Sequence, residues 1–337
     1  MFNPSQDTNV SSSVYDGRAA LQELDATKSG VRGLVQSVPV IDLREVDHAA
    51  VVANVRRAAA DWGLFQVTGH SVPQELVAAA QSMVRTLFHD ADGGEGTLKG
   101  RLYSRDPNKA VRYNTNFDSF ESPVTNWQDT LYIITDPEVP GALGELPKNG
   151  RVLWLRKTFE AHAGYLVRIA IRGTWPQGKL LGRHRLQSGP DMLACHYYPP
   201  CPEPEHAIGM VRHSDWGFLT VLLQDQIGGL QVLHNDTWVD VVPIPGAFVV
   251  ILGDMLQMVS NDNFTSCEHR VVAKRTGPRV SIASIPTQAG STRNYGPVKE
   301  LLSHTRPPLY KETLASVYRK HCASIGLGNK GVHDFQI

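Results

Sequence analysis

The chain has 337 residues with 33 Lys+Arg against 33 Asp+Glu, so no charge imbalance points to nucleic acid or an anionic membrane surface. At 42% hydrophobic and 20% charged residues it has the composition of an ordinary globular protein, long enough for one large domain or two modest ones. No apolar run is long enough to span a bilayer, and the opening MFNPSQDTNVSSSVY lacks the apolar core of a signal peptide, so a cytoplasmic protein, acting as a monomer, is expected.

Residues 1–13 are polar and Ser-rich and are expected to be disordered. Apolar residues at roughly helical spacing predict a helix over 15–28, ended by Gly30 and Gly33. VPVIDL at 38–43 reads as a strand, and Asp47 is placed to cap a helix running to Trp62. LFQVTGH at 64–70 returns to strand, and Pro73 opens a further helix. DGGEG at 92–96 breaks the pattern, RYNTNFDSF suggests extended chain, and DTLYIIT at 129–135 is a strand. A helix is expected over 151–172, but Gly173, Pro176 and Gly178 then predict a loop or broken helix.

Thereafter the texture changes. MLACHYY, GMVRH, FLTVLLQ, LQVLH, TWVDVV, AFVVILG, HRVVA and VSIASI follow at short spacing, separated by turn residues. Eight such runs predict an antiparallel sandwich or barrel rather than βαβ units. LYKETLASVYRKHC reads as a C-terminal helix. The expected division is a disordered 1–13, a helical or α+β region at 14–127, a β core at 128–300 with its catalytic segment at 190–290, and a helix and tail at 301–337. Cys195, Cys201, Cys267 and Cys322 show no CxxC spacing and are expected to be free thiols.

Chemistry concentrates in the β core. His213 and Asp215 form H-x-D, and in extended chain residues two apart share a face. With His269 folded opposite, two nitrogens and one oxygen would converge as the two-His-one-carboxylate set that suits non-haem Fe(II); zinc is the rival metal. Arg279 and Ser281, again two apart, would place a cation beside a hydroxyl, a clamp for a ligand carboxylate. H-x-D alone is a weak signal. His234-Asn235-Asp236 repeats it, but in hairpin-turn chemistry between two strand runs, and is read as a solvated turn.

ACHYYPPCPEP, HSDWGFLTVLLQDQIGGLQVL, WVDVVPIPGAFVVILGD, SNDNFTSCEHRVVA and GPRVSIAS together resemble plant 2-oxoglutarate- and Fe(II)-dependent dioxygenases, and most closely the 1-aminocyclopropane-1-carboxylate oxidase homologue branch. YDGRAALQELDATKSGVRGLV, YSRDPNKAVRYNTNFDSF, NWQDTLY and YGPVKELLSHTRPPLYKET are similar to that branch too. The resemblance implies a mainly β fold, a double-stranded β-helix or jelly roll flanked by helices. It implies Fe(II) on His213, Asp215 and His269, and 2-oxoglutarate on Arg279, Ser281 and Tyr198, with O2 as second co-substrate and ascorbate as reductant. His196 would be an extra imidazole beside the iron or co-substrate. Tyr113, Asn116, Phe117, Trp216, Ile285 and Pro286 are the implied walls for a small-molecule substrate. The implied reaction converts 2-oxoglutarate to succinate and CO2 while hydroxylating, desaturating or demethylating a small specialised metabolite. Two readings remain beside it: an oxidase of the same fold that does not use 2-oxoglutarate, and a catalytically silent metal-binding homologue. Residues 166–191 depart from the resemblance and motivate the latter.

Overall fold

The computed structural model describes residues 36–89, 97–106, 109–115, 126–134, 191–286 and 291–337. Expectations for residues 1–13, for the helices at 15–28 and 151–172, for residues 166–190, and for Asn116 and Phe117 lie outside the described residues.

The first part of the chain forms β1 (Val40–Asp42), β2 (Leu64–Thr68), β3 (Val111–Thr115) and β4 (Asp129–Ile134). It also forms helices α1 (His48–Asp61), α2 (Gln74–His89) and α3 (Leu98–Leu102). Asp47 caps α1 as its position predicts, its carboxylate accepting from the N–H groups of Ala49 and Ala50. All eight β runs of the second part are strands: β5 (Asp191–Tyr198), β6 (Ile208–His213), β7 (Leu219–Gln224), β8 (Leu230–His234), β9 (Thr237–Asp240), β10 (Phe248–Leu252), β11 (His269–Val272) and β12 (Arg279–Pro286). A short helix, α4 (Asp254–Ser260), follows β10 and had no sequence signal; α5 (Ala315–Ile325) is the C-terminal helix.

The strands make two main sheets. The larger has the order β1-β2-β10-β7-β12-β5-β4-β3 and the smaller β6-β11-β8-β9. Every pairing in them is antiparallel except that of β1 with β2. Strands from before residue 128 thus share the large sheet with strands after it. The result is the jelly roll, mainly β with flanking helices, that the resemblance implies.

Alternation along the strands decides what each face of the large sheet does. Register aligns Tyr113 with Leu131, and Leu193 with Ile133 and Ser284. Tyr113, Leu131, Ile133, Leu193, Cys195, Val280 and Ile282 belong to an apolar core that also takes in Val51 and Val55 of α1 and Val77, Val84 and Phe88 of α2. Their odd-even neighbours Tyr132, Ala194, Ala283 and Leu222 lie in one cross-strand row on the opposite face. That face looks toward the small sheet and packs with Leu230, Val232 and Val271 from it.

Candidate metal and co-substrate site

In the antiparallel pair β6–β11, His213 and His269 are direct cross-strand partners. The register brings the two imidazoles together with ring centroids 4.2 Å apart. Next to them Arg212 and Glu268 make a salt bridge of 3.1 Å that ties the same two chain segments. Asp215 lies just past the end of β6, with Oδ1 3.9 Å from Nε2 of each histidine. These distances are too long for hydrogen bonds. The three donor atoms all lie within 4.8 Å of one another.

The imidazoles present the nitrogen a metal needs. Nδ1 of His213 lies 2.9 Å from its own strand's Val211 carbonyl, which selects the Nδ1–H tautomer and leaves the Nε2 lone pair free. Burial above all holds His269 below its ordinary pKa, so its imidazole is neutral near pH 7. Oδ2 of Asp215 is buried without a hydrogen-bond partner. One oxygen of that carboxylate faces the two histidines while the other is left unpaired, an arrangement costly to bury unless a cation is shared among the three side chains. The donor set fits a divalent metal with open positions, of the non-haem iron type.

The second cluster lies on the large sheet. Arg279 pairs across the strands with Tyr198, and Ser281 with both His196 and Gln224. The guanidinium donates to Ser281 Oγ at 2.8 Å and to Gln224 Oε1 at 3.3 Å, and lies 4.8 Å from the Tyr198 ring centre. Arg279 is only 4% exposed, its Nε–H has no partner, and none of the described carboxylates pairs with it. Asp225, which accepts the backbone N–H of the next residue, Val280, is committed to Arg85 at 2.9 Å. A buried cation without a counter-ion costs several kcal/mol, so this position is built for an anionic ligand. Burial pushes the Tyr198 phenol up to about 12, so that ring stays neutral beside the charge.

Both clusters open into one cavity of about 270 Å³. Arg279, Ser281, Tyr198, His196 and Gln128 make its polar part, and His213, Asp215 and His269 its metal part. The remainder is largely apolar, with Met192, Met210, Leu222, Ile251, Ile285 and Leu327 among its walls.

Residues 189–285 match the sequence profile of the 2OG-Fe(II) oxygenase superfamily, and residues 38–155 that described as non-haem dioxygenase in morphine synthesis N-terminal. The chain is 36% identical over 369 residues to 1-aminocyclopropane-1-carboxylate oxidase homolog 1 of Arabidopsis thaliana, covering 94% of this chain and 96% of that one. The chain belongs to the 2OG-Fe(II) oxygenase superfamily. A tomato (Solanum lycopersicum) 1-aminocyclopropane-1-carboxylate oxidase homolog is 35% identical, over 93% of this chain and 94% of its own. Among solved structures, JOX2 in complex with 2OG, Fe and JA superposes with a TM-score of 0.80 at 28% identity, covering 94% of this chain and 97% of that one. A rice dioxygenase for auxin oxidation gives 0.73 at 27%, covering 89% and 100%. This chain is a 2-oxoglutarate-dependent dioxygenase by family and fold.

Of the expected substrate walls, Trp216 and Ile285 line this cavity. Tyr113 and Pro286 do not. Tyr113 lies on the helix-facing side of the sheet, packs against Phe88, and donates its hydroxyl to Asp129 at 2.9 Å. Pro286 follows Ile285 directly on β12, so alternation turns it to the other face. His196 does line the cavity, its Nδ1 3.0 Å from Thr130 Oγ1. Residues without prior assignment include Gln224, which orients Arg279, and Met192, Met210 and Leu327 in the walls. Counting by twos from Tyr198 and Arg279 finds Met192, Ala194 and Ala283. Nothing in the sequence marks Leu327, which arrives from the C-terminal segment.

The pKa of His196 is pushed down from 6.5 to about 3, first by burial and then by the charge of Arg279. Between those two pH values the unfolded chain binds a proton here that the folded chain refuses. Folding stability at this position is therefore complete above about pH 6.5 and declines as pH falls toward 3. Urea unfolding of the metal-free protein at pH 7 and pH 5 is expected to show a smaller drop for His196→Gln than for the parent.

Proposed function

We propose that this oxygenase holds Fe(II) with Nε2 of His213 and His269 and the carboxylate of Asp215, binds 2-oxoglutarate beside it, and oxidises a small specialised metabolite. The products from the co-substrate are succinate and CO2, and ascorbate serves as reductant. The observation that carries this reading is the buried Arg279, with no counter-ion among the described residues, opening into the same cavity as the three metal-ligand candidates.

Arg279 takes the distal carboxylate of 2-oxoglutarate, with Gln224 and Ser281 holding the guanidinium in plane for a two-point contact. Tyr198 closes the side of that subsite with its ring and keeps water from the charge pair. Bound Fe(II) supplies the redox chemistry that links O2 and 2-oxoglutarate to oxidation of a substrate C–H bond. The apolar walls around Trp216, Ile285 and Leu327 position that bond and exclude water. The largely apolar remainder of the cavity favours a substrate with mostly carbon at its surface.

The test is co-substrate turnover. Purified protein supplied with Fe(II), ascorbate and 2-oxoglutarate is screened against a panel of small metabolites with succinate as the readout. Substrate-dependent succinate supports the reading. O2 consumption that does not require 2-oxoglutarate, or no succinate with any compound, overturns it.

A further inference from the structure

Behind the metal-ligand candidates lies a second buried carboxylate that the reading above does not use. Asp254, the first residue of α4, is 1% exposed. Its Oδ2 accepts two hydroxyl hydrogen bonds, from Ser214 at 3.0 Å and from Tyr318 of α5 at 2.7 Å. Ser214 is the residue between His213 and Asp215. The backbone repeats the attachment: the N–H groups of Gly253, Asp254 and Met255 donate to the carbonyls of Phe218, Asp215 and Gly217 at 3.0, 2.8 and 3.1 Å. The approach is close enough that a Cβ on Gly253 would lie 2.7 Å from the Asp215 carbonyl oxygen. Segment 214–218 therefore has no strand partner but is clamped along its length by the turn into α4.

We propose that Asp254 is a positioning residue for the metal centre, acting through Ser214 to set how His213 and Asp215 present their donor atoms. The inference rests on the reading of those two residues and His269 as a metal site. The physical reason is the location of Asp215. Its histidine partners are held by the β6–β11 ladder, whereas Asp215 lies beyond the end of β6 and takes its place from the segment that Asp254 holds. A loop side chain without such support wanders by more than a metal ligand tolerates. Tyr318 extends the same attachment to α5, and Arg319, next on that helix, lies 5.8 Å from the ring centre of the cavity residue Trp216.

The experiment uses Co(II) as the probe, titrated into the metal-free full-length protein and followed by its d–d absorption. Parent, Ser214→Ala, Ser214→Thr and Asp254→Asn are compared, with the exposed Val317→Ala on α5 as control. Ser214→Ala is expected to weaken Co(II) binding by about tenfold and to change the absorption band, the size of loss usual for a group that orients a ligand. Ser214→Thr, which keeps the hydroxyl, should restore both, and Val317→Ala should match the parent. Asp254→Asn should lose affinity in the same sense, with the Ser214→Ala/Asp254→Asn double variant no weaker than Asp254→Asn alone. If Asp254→Asn does not fold, Ser214→Ala still decides. A merely structural bond would lower the unfolding midpoint of metal-free Ser214→Ala yet leave its Co(II) affinity and spectrum equal to the parent's, and that result overturns the proposal. A parent that binds no Co(II) overturns the metal reading itself. A parent and Ser214→Ala that bind equally well overturn only this inference.

Discussion

Asp215→Asn is expected to abolish succinate formation and to weaken Fe(II) binding by about a hundredfold or more, since even residues that merely orient a ligand cost ten- to a hundredfold. The substitution keeps the side chain's shape and removes its charge. Two imidazoles 4.2 Å apart then remain without the anionic donor that completes the set. The same variant carries a second, opposite expectation. In the metal-free protein Asp215 Oδ2 is buried with no partner, so removing its charge should leave thermal stability unchanged or raise it. Added Fe(II) should then raise the unfolding temperature of the parent and not of the variant. Equal iron affinity in parent and variant, measured by titration of the metal-free proteins, would remove Asp215 from the site.

The second large effect concerns the buried cation. Arg279→Met should raise the KM for 2-oxoglutarate by about a hundredfold or more, the equivalent of losing a buried charge pair worth about 3–5 kcal/mol. Arg279→Lys should recover little, because a point charge cannot reproduce the planar fork held by Ser281 and Gln224. The discriminating measurement is a 2-oxo acid that lacks the distal carboxylate. The parent should strongly prefer 2-oxoglutarate to it, whereas Arg279→Met should accept the two about equally. A variant that still prefers 2-oxoglutarate as strongly as the parent would mean that Arg279 does not hold the distal carboxylate.

Much of this site was legible because strands obey a period of two. R-x-S puts two side chains on one face of β12, whereas H-x-D only starts on β6 and its Asp215 lies beyond the strand end, yet both pairs line the cavity. The same period, followed further, would have excluded Pro286 and found Met192, Ala194 and Ala283. Only the resemblance points Tyr113 to the pocket. Its neighbours along β3 do not reveal which face meets helices and which meets the small sheet, and the register Tyr113–Leu131 puts it with the core beneath α2. His234-Asn235-Asp236 stayed a turn, with Asn235 and Asp236 at φ 49° and 57° between β8 and β9. It shows that the motif's meaning lies in what the neighbouring strand brings to it.

By itself the sequence determined the strand runs, the Asp47 cap and the residue types of both clusters, because each depends on local spacing and side-chain chemistry, and its resemblance to known sequences pointed to the family. Only the tertiary structure decided the rest. It set His269 directly across from His213, left Arg279 buried without a counter-ion among the described residues, and brought Leu327 into the cavity. It also laid Asp254, forty residues away in the chain, against Ser214 at 3.0 Å. These facts depend on register between strands and on which groups burial leaves unpaired, and no local pattern in a chain encodes either.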